Sequence, residues 1–366
     1  MSTEIFATFG PSCQQKQVLK EMIEAGMTGM RLNLSHTMLA DSRDYIEAYQ
    51  SAAKEIGKEI QILIDMQGPE LRIGEIEEVY LQEGTRVCLG HSPILNLEAE
   101  HAIADASHQE DAILLDDRNP GTYRVLQYIP VPKSVLLAIE AGDQILLDDG
   151  KLLVQAEELQ DGQAIVRVLR GGRLRGRKSI KIVNKNVKMP PLTAHDIQNI
   201  QMAKAHGVTA LMQPFVLCGE DLKYVRNVLK EHGAEDIQIY AKIEHREGVE
   251  HIESILQEAD VIVIARGDLG NDMPLWELPR VQKQIEVACK KAGKPYIVVT
   301  QMLASMENSP VPTRAEVSDI FHAVYHGAWG VMVTGETAIG KYPVEAVRYL
   351  ANTAEEAEKF SIIEER

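Results

Sequence analysis

The feature that most constrains the fold of this chain is a repeated alternation of short apolar segments with segments of helical period. Eight apolar segments are each followed by a helical segment, once one long interruption is set aside. They are EIFATF, GMRLNLS, IQILIDM, TALMQPF, IQIYAKI, VIVIARG, PYIVVTQ and GVMVTGE. Eight such units predict an α/β fold, a (β/α)8 TIM barrel, whose functional groups gather at the carboxyl ends of the parallel strands.

Several helix boundaries can be predicted from this alternation. The period predicts helices near residues 14–25 and 39–56, and a last helix from Pro343 to about Phe360. TAHD, which begins at Thr193, and TRAE, which begins at Thr313, resemble capping boxes. In a capping box two side chains satisfy free backbone N–H groups at a helix start.

One long interruption separates the third strand from the fourth. It runs over residues 71–188 and holds short apolar stretches between the turns Glu83-Gly84, Asp149-Gly150 and Asp161-Gly162. Strands joined by such turns indicate an all-β domain. We therefore expect a barrel made of residues 1–70 and 189–366, with an all-β lid domain inserted after strand 3. An insertion at the carboxyl end of a strand lies where a lid over the barrel mouth belongs.

Charge and cysteine content exclude several classes of protein. The chain has 38 basic and 54 acidic residues, a net charge of −16, which disfavours binding to nucleic acid phosphates and to anionic lipids. No apolar run approaches the ~20 residues that span a bilayer, and the first residues lack the features of a signal peptide. The four cysteines have neither CxxC nor metal-site spacing, which is typical of reduced thiols. We expect a cytoplasmic protein with no nucleic acid or membrane partner.

Polar side chains alternate with apolar ones along the second predicted strand. In RLNLS, Arg31, Asn33 and Ser35 share one face, while the apolar residues between them take the other. Apolar residues normally fill a barrel interior, so an inward polar row belongs at the mouth. Two interpretations remain open: a strand end hydrated by water, or a site for an anion and a cation.

The fifth and sixth strands repeat this pattern with opposite charges. Lys242 and Glu244 share a face, with Ile243 directed toward the helices, and Asp268 follows the next strand in a glycine-flanked turn. Lys242 and Glu244 alone could form a structural ion pair. Two carboxylates on adjacent strands, however, are a common protein contribution to a Mg²⁺ site, and Arg31 and Lys242 nearby suggest phosphoryl transfer.

Further polar residues end other strands. They are Asp65 with Arg72 beyond the third strand, Thr300 after the seventh, and Thr334, Glu336 and Thr337 after the eighth. Each alone is typical of a turn or a cap. Polar groups at the ends of six of the eight strands together favour one shared site. Trp276 and Trp329 are interpreted as packing residues.

Seven motifs resemble those of the pyruvate kinase family, in the same order and over essentially the whole chain. They are RLNLSH, IDMQGPELR, AKIEHREG, IARGDLG, VTQMLASM, PTRAEVSD and TGETAIGKYPVEAV. The resemblance is weaker in the insertion, where VPKSVLLAIEAGDQILLDDG still matches. It implies a barrel with a mobile β lid, and transfer of the phosphoryl group of phosphoenolpyruvate to ADP, giving pyruvate and ATP. It also implies Mg²⁺ (or Mn²⁺) and K⁺ as cofactors.

The resemblance implies a role for each matching residue around the substrate. Arg31 and Lys242 would bind the phosphoryl group, and Lys242 would also stabilise the enolate oxygen. The substrate carboxylate would lie against the backbone of Gly267 and Asp268 and the hydroxyl of Thr300. Thr334 and Glu336 would lie on the proton relay that converts enolpyruvate to pyruvate.

The same resemblance implies the metal and nucleotide ligands. Glu244 and Asp268 would hold Mg²⁺. The K⁺ ligands would be Asn33, Ser35, Asp65 and the carbonyl of Met66, and Glu70 stands where K⁺-dependent members of the family have Glu. The nucleotide would contact Pro11, His36, Arg72 and Lys178.

The chain also departs from the family pattern. Met66 and Gln67 replace Thr-Lys, Leu217 replaces Arg, Ile339 replaces Lys, and RKSIKIVN replaces the lid motif RKGVNLPG while keeping Lys178. Three of these four departures remove positive charge. They leave open a weakly active or non-catalytic paralogue that binds phosphoenolpyruvate in a regulatory role, and a barrel lyase that acts on a related enolate.

The end of the chain and its surface lead to expectations about domain content and oligomeric state. The chain ends a few residues after the eighth helix, where the family continues into a carboxy-terminal effector domain, so we expect no effector domain. A homo-oligomer formed through barrel surfaces is expected as well.

Overall fold

The computed structural model describes residues 2–35, 37–91, 111–115, 123–148, 150–160, 162–183, 185, 187 and 189–364. Two compact units divide the chain. One is Met1–Pro69 with Pro190–Arg366, and the other is Glu70–Met189. The second unit therefore lies within the sequence of the first.

Eight parallel strands close the first unit into a barrel. Numbered in chain order through the whole protein, they are β1 (Glu4–Thr8), β2 (Gly29–Asn33), β3 (Gln61–Asp65), β13 (Ala210–Gln213), β14 (Gln238–Ile243), β15 (Val261–Ala265), β16 (Tyr296–Val299) and β17 (Gly330–Met332). Neighbours around the barrel follow this order, and β17 pairs with β1 to close it. Each predicted apolar segment supplies one strand, which confirms the predicted (β/α)8 barrel.

Helices connect successive barrel strands. They are α1 (Lys16–Glu24), α2 (Arg43–Ile56), α4 (Ala194–Ala203), α5 (Gly219–Glu231), α6 (Arg246–Glu250), α7 (Ile252–Glu258), α8 (Arg266–Asn271), α9 (Leu278–Ala292), α10 (Arg314–Tyr325), α11 (Gly335–Ala338) and α12 (Pro343–Glu364). In α2 the buried residues Ile46, Tyr49 and Ala53 recur at helical spacing, and the helix ends at Gly57 with φ of 72°. A glycine adopts this left-handed conformation without the steric penalty of a side chain.

The barrel strands separate two apolar cores. Outward residues such as Leu32, Ile64 and Ile243 pack against the helices, as their alternation predicts. Inward residues such as Leu63 and Tyr240 fill the barrel interior. Near the carboxyl ends of β2, β3 and β14 the inward residues are charged: they are Arg31, Asp65 and Lys242. The apolar interior of the barrel therefore ends where the candidate site begins.

The second unit is mainly β-structure. Its seven-stranded sheet has the order β12-β8-β9-β10-β5-β7-β6, and β11 pairs with β4 in a smaller sheet. The strands are β4 (Val79–Leu81), β5 (Arg86–Gly90), β6 (Asp111–Leu115), β7 (Tyr123–Pro130), β8 (Gln144–Leu147), β9 (Leu152–Gln160), β10 (Gln163–Arg170), β11 (Gly172–Leu174) and β12 (Ile180–Ile182). It is not all-β, because α3 (Lys133–Ala138) follows β7.

The predicted turns account for two hairpins of this unit. The antiparallel pairs β8–β9 and β9–β10 turn at Gly150 and Gly162, whose φ angles are 80° and 75°. Asp149 and Asp161, the preceding turn residues, lie outside the described residues. This unit has an apolar core of its own, which includes Ile145, Val154 and Val166.

One expectation from the sequence is wrong. Trp276 was interpreted as a packing residue, yet its side chain is 83% exposed in the loop between α8 and α9. Loop residues have no strand or helix period, so the sequence offered no pattern from which its exposure could be deduced. Trp329 does pack, with its ring centroid 5.9 Å from that of Phe6 at the barrel interior. Within the described ranges, no helix combines the length and apolarity needed to cross a membrane.

A buried carboxylate fixes the loop that follows β3. Asp196 is fully buried and forms the predicted capping box with Thr193 at the start of α4. Its two oxygens also accept the backbone N–H groups of Gln67 at 2.8 Å and Gly68 at 3.1 Å. One side chain therefore joins the start of α4 to the loop that leaves the barrel after β3.

Asp196→Ala should destabilise the barrel unit because it leaves several buried N–H groups without an acceptor. We expect a loss of about 2–4 kcal/mol in the free energy of unfolding. Urea denaturation of the whole protein measures this loss. The control is Asp236→Ala, which removes an exposed ion pair with Lys204 and should cost less than about 1 kcal/mol. Equal losses in the two variants would contradict the structural role of Asp196.

Candidate active site at the carboxyl ends of the barrel strands

Four charged side chains meet at the carboxyl ends of β2, β3 and β14. Arg31 lies in β2, Asp65 ends β3, Lys242 lies in β14, and Glu244 directly follows β14. The side chains of Arg31 and Lys242 are each 14% exposed, while those of Asp65 and Glu244 are 2% and 1% exposed. Barrel closure thus brings together residues from three strands that are far apart in the sequence.

Asp65 is the shared partner of both cations. Arg31 donates from Nε to Asp65 Oδ2 at 2.7 Å, and its Nη2 lies 2.6 Å from the same oxygen. Lys242 Nζ lies 3.3 Å from each Asp65 oxygen and 2.9 Å from Glu244 Oε1. Thr8, at the end of β1, accepts from Arg31 Nη1 at 3.2 Å. The cluster therefore balances two positive charges against two negative ones.

The surroundings keep Asp65 and Lys242 ionised. Burial alone would raise the pKa of Asp65, but the charges of Lys242 and Arg31 outweigh that effect and lower it. Burial alone would lower the pKa of Lys242, but Asp65 and Glu244 outweigh that effect and raise it. At neutral pH the cluster therefore presents a guanidinium and an ammonium held in fixed positions.

The second oxygen of Glu244 holds the loop after β13. Oε2 accepts the backbone N–H of Phe215 at 2.7 Å, and Phe215 has a positive φ of 55°. Its ring stacks on His245 with a centroid distance of 5.7 Å. Glu244 is thus a carboxylate with one oxygen beside Lys242 and the other bound to the backbone.

The first turn of α8 lies against the residue that follows β16. A Cβ placed on Gly267 would lie 3.0 Å from Thr300 Cγ2, so a side chain at this position would crowd Thr300. Thr300 and Gln301 have φ angles of 84° and 55°. Such backbone conformations cost on the order of 1–3 kcal/mol each for residues with a side chain, and they occur mainly at functional sites. Asp268, in the same turn of α8, is exposed.

Glu336 organises the segment after β17. Its buried carboxylate accepts the backbone N–H groups of Leu303 at 3.0 Å and Thr334 at 2.6 Å. The Thr334 hydroxyl donates to the same carboxylate at 3.4 Å. The structure therefore brings Thr334 and Glu336 into contact and gives Glu336 a clear part in orienting Thr334.

The residues expected to bind K⁺ follow β2 and β3. Asn33 is exposed, and its Oδ1 accepts the backbone N–H of Ser35 at 3.2 Å. Met66 is buried and directly follows Asp65. In the portion of the chain that the structure describes, no three His, Cys, Asp or Glu side chains are grouped as metal ligands. A metal here would take one or two carboxylates together with neutral oxygen atoms.

The expected nucleotide ligands are distributed over both units. Pro11 lies in an exposed helical turn after β1, and His36 lies outside the described residues. In the second unit, Arg72 forms an ion pair with Glu70 at 2.7 Å, and Lys178 forms one with Asp148 at 3.0 Å. Both cations are thus engaged by carboxylates of their own unit.

Two contributors to the site were missed by reasoning from the sequence. Thr8 is a polar residue that follows the apolar run Ile5–Ala7 at the end of β1, the same signal that identified the other strand ends. Arg266 donates from Nε and Nη2 to the carbonyl of Thr300 at 3.2 and 2.7 Å. No sequence pattern indicated Arg266, because its role depends on a bent backbone that only the fold reveals.

Known proteins similar to this chain indicate the family to which it belongs. The family described as "Pyruvate kinase, barrel domain" matches residues 1–347. The chain is 36% identical over 356 residues to "Pyruvate kinase" of Geobacillus stearothermophilus, a match that covers 96% of this chain and 56% of that protein. It is 36% identical over 360 residues to "Pyruvate kinase" of Thermococcus litoralis, covering 98% of this chain and 70% of that protein.

A third relative has a similar match. "Pyruvate kinase" of Methylorubrum extorquens is 36% identical over 358 residues, covering 98% of this chain and 69% of that protein. The chain spans little more than half the length of the first relatives that it matches: 56% of the protein from Geobacillus stearothermophilus and 57% of the protein from Bacillus licheniformis. The eight-stranded barrel and the extent of these matches lead to one conclusion: the chain belongs to the pyruvate kinase family.

Proposed function

We propose that this protein is a phosphotransferase that moves the phosphoryl group of phosphoenolpyruvate to ADP, giving pyruvate and ATP. The observation that carries the proposal is the buried cluster of Arg31, Asp65, Lys242 and Glu244 at the carboxyl ends of the barrel strands. Enzymes with this fold place their chemistry at that end. The family membership supplies the substrate class.

The charge arrangement suits a substrate that carries a phosphoryl group. Arg31 and Lys242 would receive its oxygens, because fixed cations stabilise the charge that develops during transfer. As ADP takes the phosphorus, the bond to the enol oxygen breaks and the electron pair stays on that oxygen. Lys242, whose ammonium is held by Asp65 and Glu244, would stabilise the resulting enolate.

The remaining substrate groups would be held by the turn of α8 and by the end segment of the barrel. The carboxylate would lie against the backbone of Gly267 and Asp268 and the hydroxyl of Thr300. The Thr334 hydroxyl, oriented by Glu336, would relay a proton to the methylene carbon of the enolate and take a replacement proton from solvent. Protonation at carbon makes the ketone and completes the reaction.

The chemistry of the donors fits the two expected metal ions. Glu244 and Asp268 would hold Mg²⁺ (or Mn²⁺), since two carboxylates with substrate oxygens are a usual ligand set for that ion. When bound, such an ion neutralises charge on the transferring phosphoryl group. Asn33, Ser35, Asp65 and the carbonyl of Met66 offer only oxygen atoms, which suit K⁺.

The nucleotide would contact Pro11, His36, Arg72 and Lys178. Two of the departures from the family pattern, the lid motif RKSIKIVN and Ile339, fall on or near this side of the reaction. Ile339 stands where the family has Lys, and its apolar side chain is 66% exposed. This observation favours, as the second candidate, a weakly active or non-catalytic paralogue that binds phosphoenolpyruvate in a regulatory role.

The reaction would take place in the cytoplasm, which agrees with four cysteines that form no disulfide. We include in the proposal a homo-oligomer formed through barrel surfaces. The exposed apolar side chains of Leu275 and Trp276, which lie side by side on the barrel unit, are suited to such a contact. Light scattering after size-exclusion chromatography measures the oligomeric state directly.

A coupled assay of pyruvate formation, with and without ADP, tests the proposed function. ADP-dependent pyruvate formation is the expected result. Pyruvate released equally without ADP would indicate a lyase, and binding of phosphoenolpyruvate without turnover would indicate the regulatory paralogue. A protein that neither binds nor converts phosphoenolpyruvate would overturn the proposal.

Lys242→Ala should reduce turnover because it removes the ammonium that faces the developing enolate. Removal of one such group typically lowers the rate on the order of 100-fold to 1000-fold. Steady-state kinetics measure the effect, and circular dichroism checks the fold. Lys204→Ala, which removes an exposed lysine paired with Asp236, is the control and should keep its turnover. A Lys242→Ala variant with most of the original rate would exclude Lys242 from the mechanism.

Asp65→Asn should destabilise the protein because two buried cations lose their shared counter-charge. Breaking such a pair costs on the order of 3–5 kcal/mol. The pKa of Asp65 is lowered in the folded state, so its stabilising contribution is present above the ordinary value of 3.8 and is lost as pH falls through the folded pKa. The difference in unfolding free energy between the two proteins should therefore be full at neutral pH and shrink below about pH 4. A difference that is constant with pH would show that the charge of Asp65 is not responsible.

A K⁺ requirement is the expected consequence of Glu70. Activity should fall when Na⁺ or a bulky organic cation replaces K⁺ at constant ionic strength. Glu70→Lys should relax the requirement, because a tethered ammonium can supply the charge of the ion. Equal activity of the unaltered enzyme in all three salts would contradict the expected K⁺ site.

A further inference from the structure

The two residues after β16 have a backbone conformation that must be held in place. Thr300 and Gln301 both have positive φ angles, 84° and 55°. For a β-branched residue such as threonine this region is rarely occupied, because the side chain crowds the backbone. Left without other contacts, Thr300 would relax to a negative φ, and its carbonyl and hydroxyl would both change direction.

The guanidinium of Arg266 contacts this bend. Nε and Nη2 both donate to the carbonyl oxygen of Thr300, at 3.2 and 2.7 Å. Nη2 also lies 2.9 Å from Met302 Sδ. The Arg266 side chain is only 13% exposed, so these charge-assisted hydrogen bonds have little competition from water. A planar guanidinium can make this two-point contact, whereas a lysine ammonium offers no such fork.

Arg266 is itself held from the opposite side. Its Nη1 donates to Asp319 Oδ2 at 2.7 Å, and Asp319 lies in α10, between the seventh and eighth barrel strands. Arg266 is also the first residue of α8 and directly precedes Gly267 and Asp268. One side chain therefore joins α8, the bend after β16 and α10.

We propose that Arg266 is a positioning residue that holds Thr300 in its left-handed conformation, so that the Thr300 hydroxyl is aligned with the first turn of α8. This inference rests on the proposed function, since it concerns the subsite for the substrate carboxylate. Arg266 itself would not touch the substrate, because four of its five N–H donors are directed to Thr300, Met302 and Asp319. Loss of the Arg266 side chain would affect the reaction by changing the direction of the Thr300 hydroxyl.

Kinetics of Arg266→Met test the inference. We expect kcat/KM for phosphoenolpyruvate to fall 10-fold to 100-fold, as for a misplaced catalytic group, with the KM for ADP changed less than twofold. Arg226→Met is a matched control. Arg226 also binds a carbonyl oxygen, that of Glu258, and a carboxylate, that of Asp260, but Asp260 precedes the amino end of β15. It should keep its kcat/KM within twofold.

A double-mutant cycle with Thr300→Ala separates positioning from general structural damage. If Arg266 acts through the Thr300 hydroxyl, Arg266→Met should lower kcat/KM less than twofold further once that hydroxyl is absent. If the double variant lowers kcat/KM by the product of the two single-variant factors, the inference is overturned. An Arg266→Met variant as active as the unaltered protein would overturn it too.

A structural measurement tests whether Arg266 positions Thr300, independently of enzyme activity. Crystal structures of the unaltered protein and of Arg266→Met should show Thr300 at positive φ in the first and relaxed in the second. Thr300 that keeps its φ and hydroxyl direction without Arg266 would overturn the inference. If the unaltered protein makes no pyruvate, the proposed function is wrong. The two crystal structures would still show whether Arg266 holds Thr300 at positive φ.

A milder variant covers the case in which Arg266→Met does not fold. Asp319→Ala removes only the anchor of Arg266, at a side chain that is 38% exposed. It should lower kcat/KM for phosphoenolpyruvate by a smaller factor, about threefold to 10-fold, as the guanidinium loses one of its three partners. Unchanged kinetics together with an unmoved Thr300 would contradict the inference.

Discussion

The carboxylate of Asp65 holds the site together, because it is buried and is bound by both Arg31 and Lys242. Two cations so close to each other repel, and each loses hydration when it is buried. Asp65 offsets both effects, and Glu244 adds a second negative charge beside Lys242. The inward positions of β2 and β14 can carry positive charge because β3 supplies this shared counter-charge and Glu244 adds to it.

The same arrangement would allow a protein with a net charge of −16 to receive the proposed anionic substrate. The overall charge acts over long distances and is screened by salt, whereas Arg31 and Lys242 act locally in a partly buried site. Buried ion clusters are expensive to fold, so their presence at the mouth of a barrel is itself an indication of function. Asp65, Glu336 and the contact of Arg266 with Thr300 all hold functional groups in fixed directions before any substrate arrives.

Much of the barrel could be predicted from the sequence, because hydrophobic period is a local property. The eight strands, the capping boxes at Thr193 and Thr313, and the inward faces of Arg31 and Lys242 follow from spacing alone. The pairing of Asp65 with Lys242 could not be predicted, because they lie on strands separated by β13 and meet only when the barrel closes. The resemblance to a family assigned Asp65 to a K⁺ site, and the structure adds its role as counter-ion. The positive φ of Thr300 could not be predicted from the sequence either, because no residue type in VVTQM indicates it.

We propose above that a pre-formed pair of cations, held by Asp65, binds the phosphoryl group of phosphoenolpyruvate. Isothermal titration calorimetry of phosphoenolpyruvate with Mg²⁺ present, on the unaltered protein and on Arg31→Met, measures this binding. We expect saturable binding to the unaltered protein and an affinity at least about 10-fold weaker for Arg31→Met, because a charge-assisted contact is lost. The same affinity in both proteins, or no binding to the unaltered one, would contradict this role of the two cations.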